Sequence, residues 1–126
     1  MKTRDYYGWQ VIANDPMYDT LLAKNKDITK ADQVNMAEIL KKYAYNQRTA
    51  LDIGCHYGFF TKFLSANFEQ VHAFDFPTDI LECCKLNLKD YKNVTIHPHG
   101  IGDTNTSVAT NDWFAKNRRR GPLGMH

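Results

Sequence analysis

Apolar residues recur along this chain with two different periods, and the changes of period divide it into elements. From Lys30 onward Val34, Ala37, Leu40 and Tyr43/Ala44 fall three to four residues apart. That is the spacing of one helix face, and it predicts a helix ending near Tyr45-Asn46. Thr49-Ala50-Leu51-Asp52-Ile53 is a short β-compatible run closed by Gly54, with Cys55-His56-Tyr57-Gly58 as a turn. Helical spacing returns at Phe59, Phe60, Phe63, Leu64 and Phe68, with Lys62, Ser65 and Asn67 opposite, so the phenylalanines read as core. Gln70-Val71-His72-Ala73-Phe74 predicts a second strand ending at Asp75. Pro77 breaks the chain, and Asp79 with Glu82 three residues later offers the oxygens of a capped helix start. Ile80, Leu81, Cys84, Leu88 and Tyr91 make the buried face of that helix. Asn93 opens a third strand, Val94-Thr95-Ile96-His97, which leads into Gly100-Ile101-Gly102-Asp103.

Two stretches lack such a period. Residues 1–25 mix polar positions with aromatics (Tyr6, Tyr7, Trp9, Tyr18) around turn signals at Asn14-Asp15-Pro16, and read as an irregular arm that packs down. Beyond Asp103 the pattern fades, apart from a short amphipathic piece around Trp113-Phe114-Ala115. The order helix, β, α, β, α, β implies parallel strands with right-handed crossovers. The expected fold class is therefore α/β, the first half (about three strands) of a Rossmann-like doubly wound parallel sheet with an N-terminal helical arm. A single domain is expected, with arm and helix over 1–46, the βαβαβ unit over 49–103 and a tail over 104–126.

Composition narrows the class further. At 126 residues, 43% hydrophobic and 24% charged, the chain suits one globular domain, and a multidomain enzyme is not expected. Its apolar runs reach only three residues, as at Val11 to Ala13, against the roughly 18 to 20 that span a bilayer. Met1-Lys2-Thr3-Arg4-Asp5 is followed by no apolar core of a secretory signal, so a cytoplasmic protein with no membrane partner is expected. Residues 1–100 hold 12 Lys/Arg and 12 Asp/Glu, which places the whole net +2 in the last stretch, with Lys116 and Arg118 to Arg120. A neutral body argues against nucleic-acid binding by the domain, which needs several phosphates neutralised. Cys55, Cys83 and Cys84 form neither an even set nor a Cys-x-x-Cys pair, so they read as small hydrophobes in a reducing compartment. His97-Pro98-His99 has no further ligands beside it, and no metal site is expected.

Chemistry converges at the carboxyl ends of the first two predicted strands, where ligands bind in such sheets. Asp52-Ile53-Gly54-Cys55-His56-Tyr57-Gly58 gives the glycine turn, and Asp75 follows 21 residues after Gly54. An acid at that distance is placed to accept hydrogen bonds from a ribose diol. A dinucleotide asks for G-x-G-x-x-G, whereas here the spacing is Gly54-x-x-x-Gly58 with His56 at the place of a close glycine. S-adenosylmethionine carries no phosphate but an ammonium and a sulfonium, and Asp52 is suitably charged to sit near that cationic end. Each residue also has a plainer use: Asp52 as a turn cap, the glycines as requirements of the bend, His56 as a loop residue.

From Ala50 to Asp103 the sequence resembles the class I S-adenosylmethionine-dependent methyltransferases, and most closely the FkbM-type family. That family's Asp-x-Gly-Ala-Asn-x-Gly stands here as Asp52-x-Gly54-Cys55-His56-x-Gly58, and its Glu-Pro after the second strand as Asp75-Phe76-Pro77. The resemblance implies that Gly54, His56 and Gly58 line the methionine part of the cofactor, that Phe76 lies against the adenine, and that Asp103 comes near the adenine amino group. It also implies O-methylation of a sugar or small hydroxyl acceptor, with His56 as the one general base to nominate. The family's fourth strand, beside the first and towards the substrate, has no counterpart here. A truncated or split enzyme, or a half-domain completed by self-association or another chain, is expected. Two other readings stand beside it: a non-catalytic S-adenosylmethionine-binding or interaction module, and a nucleic-acid accessory protein acting through Arg118 to Arg120.

Overall fold

Parallel pairing is the backbone of the computed structural model, which describes residues 1–30, 33–44 and 46–103. In chain order the elements are β1 (Thr3–Tyr6), β2 (Trp9–Ile12), α1 (Pro16–Ala23), α2 (Gln33–Tyr43), β3 (Thr49–Ile53), α3 (Phe59–Asn67), β4 (Gln70–Phe74), α4 (Asp79–Leu88) and β5 (Val94–His97). The sheet order is β3-β4-β5, all parallel, with Asp52 opposite Ala73 and Ala73 opposite Ile96. This is the α/β architecture of a Rossmann-like core, in part.

Strand alternation sorts the side chains onto two faces. Ala50, Val71 and Ala73 are buried on the helix side, Ala73 in a cluster with Leu81, Cys84 and Leu88 of α4, Cys55 and Trp9. On the other face Leu51 and Ile53 are 61% and 60% exposed. Asn93 holds the end of α3 to the sheet, its Nδ2 donating to the carbonyls of Ser65 (2.8 Å) and Phe68 (3.0 Å).

Residues 1–25 are more ordered than the expected irregular arm. β1 and β2 form an antiparallel hairpin whose two turn residues, Tyr7 and Gly8, both have positive φ (48° and 88°). Such a turn matches the twist of the strands it joins. The turn signalled at Asn14-Asp15-Pro16 is present at Ala13-Asn14, and it leads straight into a helix. Asp15 caps α1 by accepting from the Met17 amide (3.2 Å), and Pro16 occupies the first helical turn, where its missing N–H costs nothing. The hairpin and α1 then build a second cluster, Tyr6, Val11, Tyr18, Tyr57 and Cys83, with edge-to-face ring contacts Tyr6–Tyr18 (4.8 Å) and Tyr18–Tyr57 (5.3 Å). Cys83 is thus buried on the side of α4 away from Cys84, so both cysteines serve as core residues.

Three further expectations change. The stripe on α2 buries no residue against a core among the described residues: Ala37 and Leu40 are half-buried, and Val34 is 78% exposed. Of the phenylalanines on α3, Phe59 packs inward while Phe60 is exposed; the fully buried residue of that helix is Thr61. At the start of α4 the cap is Thr78 without a side-chain bond, and Glu82 pairs with Lys85 instead (3.1 Å). Among the described residues no helix is long and apolar enough to cross a membrane. The piece around Trp113-Phe114-Ala115, the Arg118 to Arg120 run and the rest of the expected tail lie outside the described residues.

Candidate cofactor-binding site

The bend after β3 is tied to the end of β4 by main-chain bonds: the amides of Gly54 (2.8 Å) and Cys55 (3.1 Å) both donate to the Phe74 carbonyl. Gly54 has φ +81° and Gly58, which opens α3, has φ +97°. At Gly58 the need for glycine is double. A Cβ there would stand 2.9 Å from Leu88 Cδ1 and 3.1 Å from Cys84 Sγ, so α4 closes directly over the turn. Between the glycines His56 also adopts a left-handed conformation, φ +54°, a costly state for a residue with a side chain.

Around this turn lie the acids. Asp75 accepts from the His56 amide through Oδ2 (2.9 Å) and from the Phe76 amide through Oδ1 (2.8 Å), bracing the turn from the end of β4. Asp52, one strand over, accepts from the buried Thr61 hydroxyl through Oδ2 (2.6 Å). Burial raises the Asp52 carboxyl above its ordinary value and the Asp75 charge adds to this, while the Thr61 hydrogen bond opposes it. Partial desolvation lowers the His56 imidazole, against the charges of Asp75 and Asp15. Phe76 lies on Gly100, where an added Cβ would sit 2.5 Å from its ring, so the loop after β5 also reaches the site. Asp103 is exposed in the bend beyond Gly102, and no hydrogen bond joins it to the other site residues.

The turn is also held from the N-terminal side. The Tyr57 hydroxyl donates to Asp15 Oδ2 (3.0 Å) and accepts from the Ile12 amide (3.3 Å). Asn87 of α4 donates through Nδ2 to the Tyr57 and Gln10 carbonyls (3.0 Å each) and accepts from the Gln10 amide through Oδ1 (2.7 Å). One amide side chain therefore links α4, the hairpin and the glycine turn. Cys55 and Cys84 are buried with their sulfurs 3.9 Å apart; the contact with Cys84 and burial push the Cys55 thiol up, the state of an unreactive core cysteine.

The structure places Asp52, Gly54, His56, Gly58, Asp75 and Phe76 in and beside the turn at the carboxyl ends of β3 and β4. Thr61, Asp15 and Asn87 complete its surroundings and were not singled out from the sequence. Thr61 had a signal, being the one hydroxyl among the inward positions of a phenylalanine-rich helix. Asp15 and Asn87 had none, because their partners are remote in sequence. Among the described residues no group of three or more His, Cys, Asp or Glu is gathered as a metal would need.

No protein-family profile and no curated protein matches the sequence. Among solved structures, the chain is similar to DesVI of Streptomyces venezuelae, with TM-score 0.59 and 14% identity over 88% of this chain and 50% of that one. It is also similar to S-adenosylmethionine-bound CalS10, an amino pentose methyltransferase from Micromonospora echinaspora (TM-score 0.53, 14% identity, 73% of this chain and 37% of that one). An S-adenosylmethionine-dependent methyltransferase from Clostridium acetobutylicum gives TM-score 0.52 and 18% identity over 74% and 37%. The chain spans half or less of the length of each of these structures. Its structural neighbours are class I S-adenosylmethionine-dependent methyltransferases, and what the likeness establishes for this chain is their Rossmann-like core in part.

Proposed function

We propose that this chain forms the cofactor-binding core of an S-adenosylmethionine-dependent methyltransferase whose acceptor is a hydroxyl on a sugar or other small molecule. One observation carries the reading. Asp52 and Asp75 stand at the carboxyl ends of neighbouring parallel strands, and neither is ion-paired among the described residues. Two uncompensated acids beside a glycine turn suit a ligand that is cationic at one end and carries a diol at the other. They suit a pyrophosphate poorly, since like charges would meet.

The residues fit that ligand. Asp52 uses one oxygen on Thr61 and has the other for an ammonium. Each Asp75 oxygen accepts one main-chain N–H and retains a second lone pair for a ribose hydroxyl. Phe76, next to Asp75 and packed on Gly100, is the aromatic residue proposed to lie against the adenine. When bound, the cofactor supplies a sulfonium methyl for transfer in line with the acceptor oxygen, a reaction in which positioning provides much of the rate. His56, kept neutral near pH 7 by its lowered pKa, is the group to take the acceptor's proton.

The finer readings rest on lesser support. Asp52-x-Gly54-Cys55-His56-x-Gly58 with Asp75-Phe76-Pro77 favours the FkbM type. The amino pentose methyltransferase among the neighbours favours a sugar acceptor, by analogy of fold. Unbridged Cys55, Cys83 and Cys84 suit a reducing, cytoplasmic setting. The edge of β3, unpaired among the described residues, favours completion of the sheet by a second copy or a further chain. Calorimetry tests the core of the proposal: the parent binds S-adenosylmethionine and S-adenosylhomocysteine, and Asp75→Asn weakens both about tenfold or more, on the scale of a charged hydrogen bond. A parent that binds neither ligand overturns it.

A further inference from the structure

Thr61 is an anomaly on its helix. It lies in the first turn of α3, between phenylalanines, and it is the one residue of that helix with no exposure (0%). A hydroxyl at such a position costs stability unless it is hydrogen-bonded. Here Oγ1 donates to Asp52 Oδ2 at 2.6 Å, a short bond of the kind made to an ionised acceptor. The other carboxylate oxygen, Oδ1, takes no protein partner among the described residues and is not sealed from solvent. A carboxylate otherwise rotates between several arrangements. With one oxygen fixed on a buried hydroxyl of a packed helix, the second has a fixed place.

Resting on the proposed function, we infer that Thr61 is a positioning residue, whose hydroxyl holds Asp52 so that Oδ1 is presented to the cationic amino-acid end of S-adenosylmethionine. Phe59, Phe60 and Phe63 cannot do this, having no donor, and among the described residues no basic side chain is paired with Asp52 to do it by charge. The contact has a second effect. A donated hydrogen bond favours the ionised carboxylate, so it offsets part of what burial and Asp75 do to Asp52. Removing it makes the acid harder to ionise, and binding of a cation then fails from a higher pH downward.

The test is calorimetry from pH 5 to 8 on the parent, Thr61→Val and Thr61→Ser, with S-adenosylmethionine and with 5′-methylthioadenosine, which lacks the amino-acid end. Thr61→Val, equal in shape, should bind S-adenosylmethionine about tenfold more weakly at pH 7, equivalent to roughly 1.4 kcal/mol. Its affinity should begin to fall at a higher pH than the parent's. Binding of 5′-methylthioadenosine should be unchanged, and Thr61→Ser should restore the parent behaviour. Equal loss of both ligands, or no loss of either, overturns the inference while leaving the proposed function standing. A parent that binds 5′-methylthioadenosine and S-adenosylmethionine equally well also overturns it, and a parent that binds neither ends both. Should Thr61→Val not fold, the parent decides by NMR: a Thr61 hydroxyl proton that exchanges slowly with and without S-adenosylmethionine supports the role, and one that exchanges freely overturns it.

Discussion

The two faces of the sheet are built from the same strands yet live in different surroundings. On one, Val71 and Ala73 are fully buried under α3 and α4, and the hairpin β1-β2 covers α4 in turn. On the other, Leu51 and Ile53 are mostly exposed, and His72, Phe74 and His97 cover one another, with Phe74 stacked on His97 (4.6 Å) and the His72 and His97 rings joined nitrogen to nitrogen (2.9 Å). A doubly wound sheet expects helices on both faces. The covered face therefore holds this fold together, while the other is open among the described residues.

The largest test of that contrast is a pair of matched charges. Val71→Asp on the covered face should cost several kcal/mol and unfold the protein, against a typical total stability of about 5 to 15. Ile53→Asp on the open face should change the stability read by urea unfolding by no more than about 0.5 kcal/mol. Should Ile53→Asp instead cost about 2 kcal/mol or more, the open face is covered in solution and the contrast breaks. Asn87→Leu tests how firmly the hairpin belongs to the covered side. It leaves the Gln10 amide and two carbonyls without their partner, and a loss of about 2 kcal/mol is expected in chemical unfolding, with early exposure of Trp9 seen in fluorescence.

The smallest effect has the opposite sign. Asp52 has a raised carboxyl in the fold, so its contribution to stability is full below the unfolded value of about 3.9 and is lost as pH rises through the folded value. Asp52→Asn, without that charge, should melt slightly higher than the parent at pH 7, by less than about 1 kcal/mol. The two should converge as pH falls towards 4, as read by thermal scans across pH. A parent more stable than Asp52→Asn at pH 7 contradicts the burial ascribed to Asp52.

The bounds of β3, β4 and β5 were legible because each is a short apolar run between punctuating residues: Gly54 after the first, Asp75 and Pro77 after the second, Asn93 before the third. The placing of Asp52, Gly54 and Asp75 at the strand ends followed from the same punctuation. The hairpin was hidden because its turn uses Tyr7 where asparagine or aspartate is the usual signal. α1 was hidden because Asp15-Pro16 opens turns and helices alike, and only the Met17 amide decides between them. On α3 periodicity misled in detail: it gave the helix, yet chose Phe60 for the core and passed over Thr61, because apolarity cannot report a buried hydrogen bond. The links from Asp15 and Asn87 to Tyr57 join residues 42 and 30 positions apart, which no local pattern records.

Gly58 and Leu88 carry a consequence for how this turn can vary. The turn is cast against the last turn of α4, so its contour is set by side chains packed beneath it. Enlarging Leu88 or Cys84 would press on the bend, while trimming them would let it sag. The shape of the glycine turn can thus be altered from behind, by residues that take no part in the turn itself.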